Sequence, residues 1–148
     1  MKLSGGIWHN EFPLPLVDTG KKKKGWPPYR RRTLWEYTAH PENPLTFQCA
    51  ESCFVRPDRH FFTDLASIPE VLQIFMPKDI HNPSAVLHDS ACLYKSLFFS
   101  STLNGVYVKC YISSSSAAEL FGKGLYAAGY KVRAYPAWRA VVRFGPKW

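Results

Sequence analysis

The chain has no long apolar run. None is long enough for a signal peptide, and none would cross a membrane. It has few cysteines: Cys49, Cys53, Cys92 and Cys110. Three residues separate Cys49 from Cys53 and the others stand alone, whereas a zinc site wants two tight pairs or Cys/His pairs. Free thiols in a reducing cytoplasm are the expectation, or a Cys49–Cys53 disulfide if the protein ends outside the cell. Ser90 lacks the glycine-rich elbow of a serine nucleophile. His9, His40, His60 and His81 fall in predicted loops without ligand spacing. No internal repeat is visible.

Acidic residues are outnumbered, 11 against 19 basic, for a formal charge of +8. Seven of the basic residues stand in two blocks, Lys21, Lys22, Lys23 and Lys24, then Arg30, Arg31 and Arg32. Such blocks read as solvated surface, or as a contact for phosphates or an acidic protein. Trp26 and Tyr29 between them would stack on bases or pin the segment onto its own domain. Length of 148 residues, with 46% apolar and 16% aromatic content, fits one folded domain and excludes global disorder. Twelve prolines argue for turns and broken elements rather than a helical bundle.

Residues 1–33 read as a basic, Pro-rich arm or long loop, with an extended edge stretch at Phe12 to Leu16. Residues 34–148 read as one α+β domain, with short antiparallel strands followed by three or four packed helices. Leu34 to Thr38, Leu45 to Cys49, Cys53 to Arg56 and Phe61-Phe62 suit strands, with turns at His40 to Pro44 and Pro57 to His60. Ser67 and Glu70 fit a capping box for a short helix ending before Pro77. Asn82 and Pro83 fit the start of a second helix running past Tyr94, to about Phe98. Asn104-Gly105 suits a hairpin turn between Leu103 and Val106 to Val108. Ser116 and Glu119 suit a capping box for a helix that stops at Gly129. A last helix is expected after Pro136, through Trp138, Val141 and Val142, with Arg139 and Arg143 on its solvent side.

The second helix carries the most suggestive chemistry. His88 shares a stripe with Ala85 and Cys92, so it faces the packed side. Asp89 is rotated about 100° from it, so both can line one cleft without touching. Asp64 falls in a strand-to-helix loop and reaches His88 only if that loop folds over the helix. A histidine on a packed face usually clamps two elements through a hydrogen bond, and His88 with Asp64 reads first as such a clamp. Catalysis, or metal binding without turnover, are the sharper alternatives. Asp89 is a candidate metal ligand or a solvated edge residue. Tyr94 closes the site or belongs to the core. Thr63 and Ser67 support the loop.

Phe62-Thr63-Asp64-Leu65-Ala66-Ser67-Ile68-Pro69, then Ala85-Val86-Leu87-His88-Asp89, then Tyr94, resemble the phage-associated domain of unknown function 1353. The tail fits as well, through Ala117, Phe121, Leu125, Gly129 and Arg139 to Gly145. The resemblance covers about residues 34–148 and implies a phage or prophage origin, without an activity. More distantly, a helical His-Asp with a following tyrosine is similar to phospholipase A2-like enzymes. That similarity would make His88 a general base and Asp89 a calcium ligand. Calcium would then stabilise the developing oxyanion. The second-helix position that carries an orienting Asp is Ala118 here, and no glycine-rich calcium loop is visible, which leaves Asp64 to orient His88.

The leading expectation is a phage-encoded accessory or virion-associated protein of tail or capsid. It would act through contacts with other phage structural proteins, with the His-Asp core mainly structural and no cofactor. It would be made in the host cytoplasm and then assembled into the virion. The rivals are a calcium-dependent hydrolase and a nucleic-acid binder using residues 21–32.

Overall fold

The structure, a computed structural model, describes residues 2–9, 14–24, 31–64 and 83–148. The described elements are β1 (Ile7–Trp8), β2 (Leu16–Lys24), β3 (Arg31–Thr38), β4 (Phe47–Ala50), β5 (Cys53–Arg56) and β6 (His60–Thr63), then α1 (Pro83–Tyr94), β7 (Ser96–Ser100), β8 (Val108–Tyr111), α2 (Ser114–Ala127) and α3 (Lys131–Phe144). Strands fill the N-terminal half and helices dominate the C-terminal half, so the α+β expectation stands. The strands form a five-stranded sheet in the order β1-β4-β5-β7-β8 and a three-stranded sheet in the order β2-β3-β6. Every described pairing is antiparallel.

Local alternation explains the strands. β6 exposes His60 and Phe62 and buries Phe61 and Thr63, the period of a half-covered sheet. β4 and β5 pair as expected, Phe47 with Val55 and Gln48 with Phe54, before the register shifts at Cys49. The turn before β4 is held by His40, whose Nδ1 accepts from the backbone N–H groups of Glu42 and Asn43 at 3.2 and 3.0 Å.

The core is organised around α1. Eight of its 12 residues are buried, so it carries apolar contacts on more than one side. Val86 joins Tyr37 and Phe61 of the three-stranded sheet, with Leu14 and Leu45. Leu87 and Ala91 join Phe47, Val55 and Leu97 of the five-stranded sheet, and Ala117 and Leu120 of α2. Truncating a leucine such as Leu87 to alanine typically costs about 2–5 kcal/mol at a site like this. Where α1 meets α2, Gly124 permits a close approach, because a Cβ there would meet Ser84 Oγ at 2.5 Å and Trp8 Cζ2 at 2.9 Å. The Trp8 indole N–H also donates to the Gly124 carbonyl at 2.9 Å. α2 packs in turn on α3 through Phe121, Leu125, Ala134, Ala137 and Val141, with Leu3 completing the cluster.

Several local expectations need correction. The stretch read as an arm is largely folded where it is described. Leu3 and Trp8 belong to the packed interior, and the two basic blocks enter strands, with Lys22 opposite Thr33, Lys23 opposite Arg32 and Lys24 opposite Arg31. α1 ends at Tyr94 rather than near Phe98. Lys95 takes a left-handed φ of 53° and turns the chain directly into β7. β7 and β8 pair from Ser96–Tyr111 to Phe99–Val108, so Asn104-Gly105 lies in a wider loop than a two-residue turn. The cap of α2 is Ser113, whose Oγ accepts from the Ser116 N–H at 3.2 Å. Glu119 instead pairs with Lys123 at 3.1 Å. α3 begins before Pro136 and contains it. The carbonyl that loses its helical donor belongs to Val132, which is 88% exposed and free to be hydrated. Gly129, at φ 101°, ends α2 as expected. The expected Ser67/Glu70 helix and the Asn82 cap lie outside the described residues.

Candidate functional site

α1 presents His88 and Asp89 to different surroundings. His88 is 3% exposed. Its ring lies 5.3 Å from that of Phe121 on α2, tilted by 54°. One helical turn on, the Cys92 sulfur is 3.6 Å from Nδ1. Burial pushes the His88 imidazole down to about 4, so it is neutral at ordinary pH. Burial, with a smaller push from the Asp89 charge, raises the Cys92 thiol to about 12. Both partners are therefore neutral, and the sulfur lies near both ring nitrogens, 3.9 Å from Nε2. A thiol held this far up is a poor nucleophile, so the pair does not form a reactive thiolate–imidazolium dyad.

Asp89 is half-buried and accepts a hydrogen bond from the Thr63 hydroxyl at the end of β6. Thr63 is buried at 3% exposure, so this bond joins sheet to helix under cover. The next helical residue repeats the theme: Ser90 Oγ accepts from the Asp58 N–H at 2.8 Å. Tyr94 lies at the surface end of α1. It is 43% exposed, edge-on to Phe61 at 6.5 Å, with Lys109 Nζ 5.8 Å from its ring. Burial and the Asp58 charge both push its phenol up.

The structure thus brings Thr63, Asp89 and Ser90 into one strand–helix seam and places His88 behind it, among Cys92 and Phe121. Asp64 follows Thr63 and is half-buried. Ala118 lies buried in the α2–α3 cluster. The α2 side chain facing the imidazole is Phe121, one turn later. Sequence reasoning matched Phe121 to the family pattern but did not pair it with His88, although its three-residue step from Ala118 puts both on one helix face. Among the described residues, no three His, Cys, Asp or Glu side chains gather as a metal-binding group. No helix among them is long and apolar enough to cross a membrane.

Of the basic residues, Lys21 and Lys22 are exposed on β2, and Lys22 Nζ donates to Thr33 Oγ1 at 2.8 Å. Lys23, Lys24, Arg31 and Arg32 are placed by strand register alone. Trp26, Tyr29, Arg30 and Ser67 lie outside the described residues.

A model of the family described as "protein of unknown function (DUF1353)" matches residues 42–141. The chain belongs to the DUF1353 family. The match takes in β4 to β8, α1, α2 and most of α3, and hence the whole His88–Asp89 seam of this DUF1353 protein. No curated protein and no solved structure gives a significant match.

One concavity escaped the sequence reading. A cavity of about 390 Å³ opens between the two sheets, lined by residues that include Tyr37, Leu45, Arg56, Arg59, Phe98 and Tyr107. Its chemistry depends on where β3, β5 and the β7–β8 loop meet, and Arg56 reads locally as nothing but the end of a strand before a turn.

Proposed function

We propose that this DUF1353 protein is a phage- or prophage-encoded accessory protein, associated with the tail or capsid, that works by protein contact. In this reading the His-Asp segment is architecture. The observation that carries it is the state of His88: sealed, neutral and faced by a phenyl ring instead of a carboxylate. A general base must reach the proton it takes, either directly or through one water. Asp89 meanwhile already serves a strand–helix bond.

The outer edge of the five-stranded sheet supports the contact reading. All four residues of β8 are exposed. Val108 is 58% and Tyr111 72% exposed, with Val106 before them at 84%. Exposed strand edges with large apolar side chains invite a partner. The phage setting rests on the motif resemblance, and production in the host cytoplasm before assembly follows from it.

Two measurements test the reading. The protein should co-purify with intact virions, and a panel of lipid and simple esters with calcium should give no turnover. Calcium-dependent turnover that disappears in His88→Ala, with the fold retained by circular dichroism, would replace this reading with a hydrolase. In that enzyme His88 would be the base, Asp89 the calcium ligand and Asp64 the orienting group.

A second reading, nucleic-acid binding, draws on the β2–β3 register, which brings the lysine and arginine blocks onto one hairpin. It predicts a steep loss of affinity with salt.

A further inference from the structure

We propose that the cavity between the two sheets is a binding site for a small organic monocarboxylate with an apolar body, with Arg56 as its anion-recognising group.

Arg56, the last residue of β5, is half-buried and held in one plane. Its guanidinium lies 3.8 Å from the Tyr107 ring centroid. Nε donates to Thr46 Oγ1 at 2.8 Å and one terminal nitrogen donates to the Leu103 carbonyl at 3.2 Å. These contacts use two of five donors and supply no negative charge. Among the described residues, no carboxylate lies within ion-pair distance of it. A half-buried cation without a counter-ion is costly, and a bound carboxylate offsets that cost with a planar, two-pronged match.

Tyr37 backs the lining. Its side chain is fully buried and its hydroxyl is sealed from the cavity, so it shapes the wall without touching the contents. Arg56 is therefore the group that wants acceptor atoms, which is what an anion brings.

The rest of the lining selects among anions. Arg56 and Arg59 against Glu42 leave one net positive charge around the cavity, which suits a single carboxylate better than a multiply charged phosphate. Pro44, Leu45 and Phe98 give apolar wall for the remainder of the ligand. A volume of about 390 Å³ is within the range of small-molecule sites.

The test uses the full chain and two probes, benzoate and phenylacetate, titrated by NMR beside their neutral amides and inorganic phosphate. Both carboxylates should shift resonances of Arg56, Tyr37 and Phe98, and the amides and phosphate should bind at least tenfold more weakly. Tyr37→Phe removes only the sealed hydroxyl and should leave the affinity within about twofold. Ala39→Leu, at the half-buried lining position Ala39, should fill the space and abolish binding while the melting temperature holds. Arg56→Lys keeps the charge, loses the fork, and should cost about tenfold. Four results would overturn the assignment: carboxylates binding no tighter than the amides, phosphate binding as well as benzoate, shifts mapping elsewhere, or affinity unchanged in both Arg56→Lys and Ala39→Leu.

Discussion

The Thr63 hydroxyl donates to the Asp89 carboxylate, and the bond ties the last residue of β6 to the middle of α1. Two motif blocks far apart in sequence, Thr-Asp and His-Asp, meet through their first and second members respectively. The meeting makes structural sense of why a threonine precedes Asp64 and an aspartate follows His88.

Thr63→Val keeps the shape and removes the donor, leaving a half-buried carboxylate short of a partner. We expect a loss of about 1–3 kcal/mol in urea unfolding. In a double-mutant cycle with Asp89→Asn, the coupling should be about 1–2 kcal/mol. Additive single effects would show that the two side chains do not act together.

His88 links stability to pH. Its imidazole titrates near 6.5 when unfolded and at about 4 when folded, so between those values the unfolded chain takes up a proton that the folded chain refuses. The stabilisation is fully present above 6.5 and is lost as pH falls towards 4, by about 3 kcal/mol in all. The stability difference between wild type and His88→Gln, followed by urea unfolding, should therefore shrink by that amount on going from neutral pH to about 4. A difference that stays constant with pH would mean that His88 is not buried neutral.

Gly124→Ala sets two effects against each other. Alanine favours a helix over glycine by about 1 kcal/mol. The added methyl, however, would lie 2.5 Å from Ser84 Oγ and 2.9 Å from Trp8 Cζ2, and overpacking of this kind costs about 1–3 kcal/mol. We expect net destabilisation, with a shift in Trp8 fluorescence as the indole moves. A more stable variant would mean that α1 and α2 are further apart than described here.

The β2–β3 hairpin sets Lys23 opposite Arg32 and Lys24 opposite Arg31, and like charges in directly opposed positions weaken a sheet. Amide exchange in residues 16–24 should slow as salt rises from low to physiological strength, because screening relieves the repulsion. If nucleic acid binds, a short duplex should slow exchange in the same residues at low salt. Lys22→Gln with Lys23→Gln should then lower the salt slope of affinity by about two. Protection that falls with salt would contradict the register.

The sequence carried the elements whose signal is local. The Phe61-Phe62 strand and the Gly129 stop of α2 are each written in neighbouring residues, and each holds. The errors arise where a distant part of the chain decides. Four lysines are poor strand formers, and only pairing with β3 extends them. Lys95 is an uncommon left-handed residue, so nothing nearby announces that α1 stops before Ser96. Pro136 ends helices unless the freed carbonyl can reach water, as that of Val132 does. At the site, helical phase showed that His88 faces inward. It did not show what His88 meets, because Phe121 reaches it only through the packing of α2 on α1. The Arg56 cavity is assembled by three separate segments and has no local signature.

Val108, Lys109, Cys110 and Tyr111 run along the outer rail of the five-stranded sheet, and Lys109 is the single charge among them. A charged lysine on an edge strand works against the side-by-side pairing of like chains. An incoming strand with a carboxylate opposite Lys109 would turn that repulsion into a register mark, fixing both the direction and the stagger of the added strand.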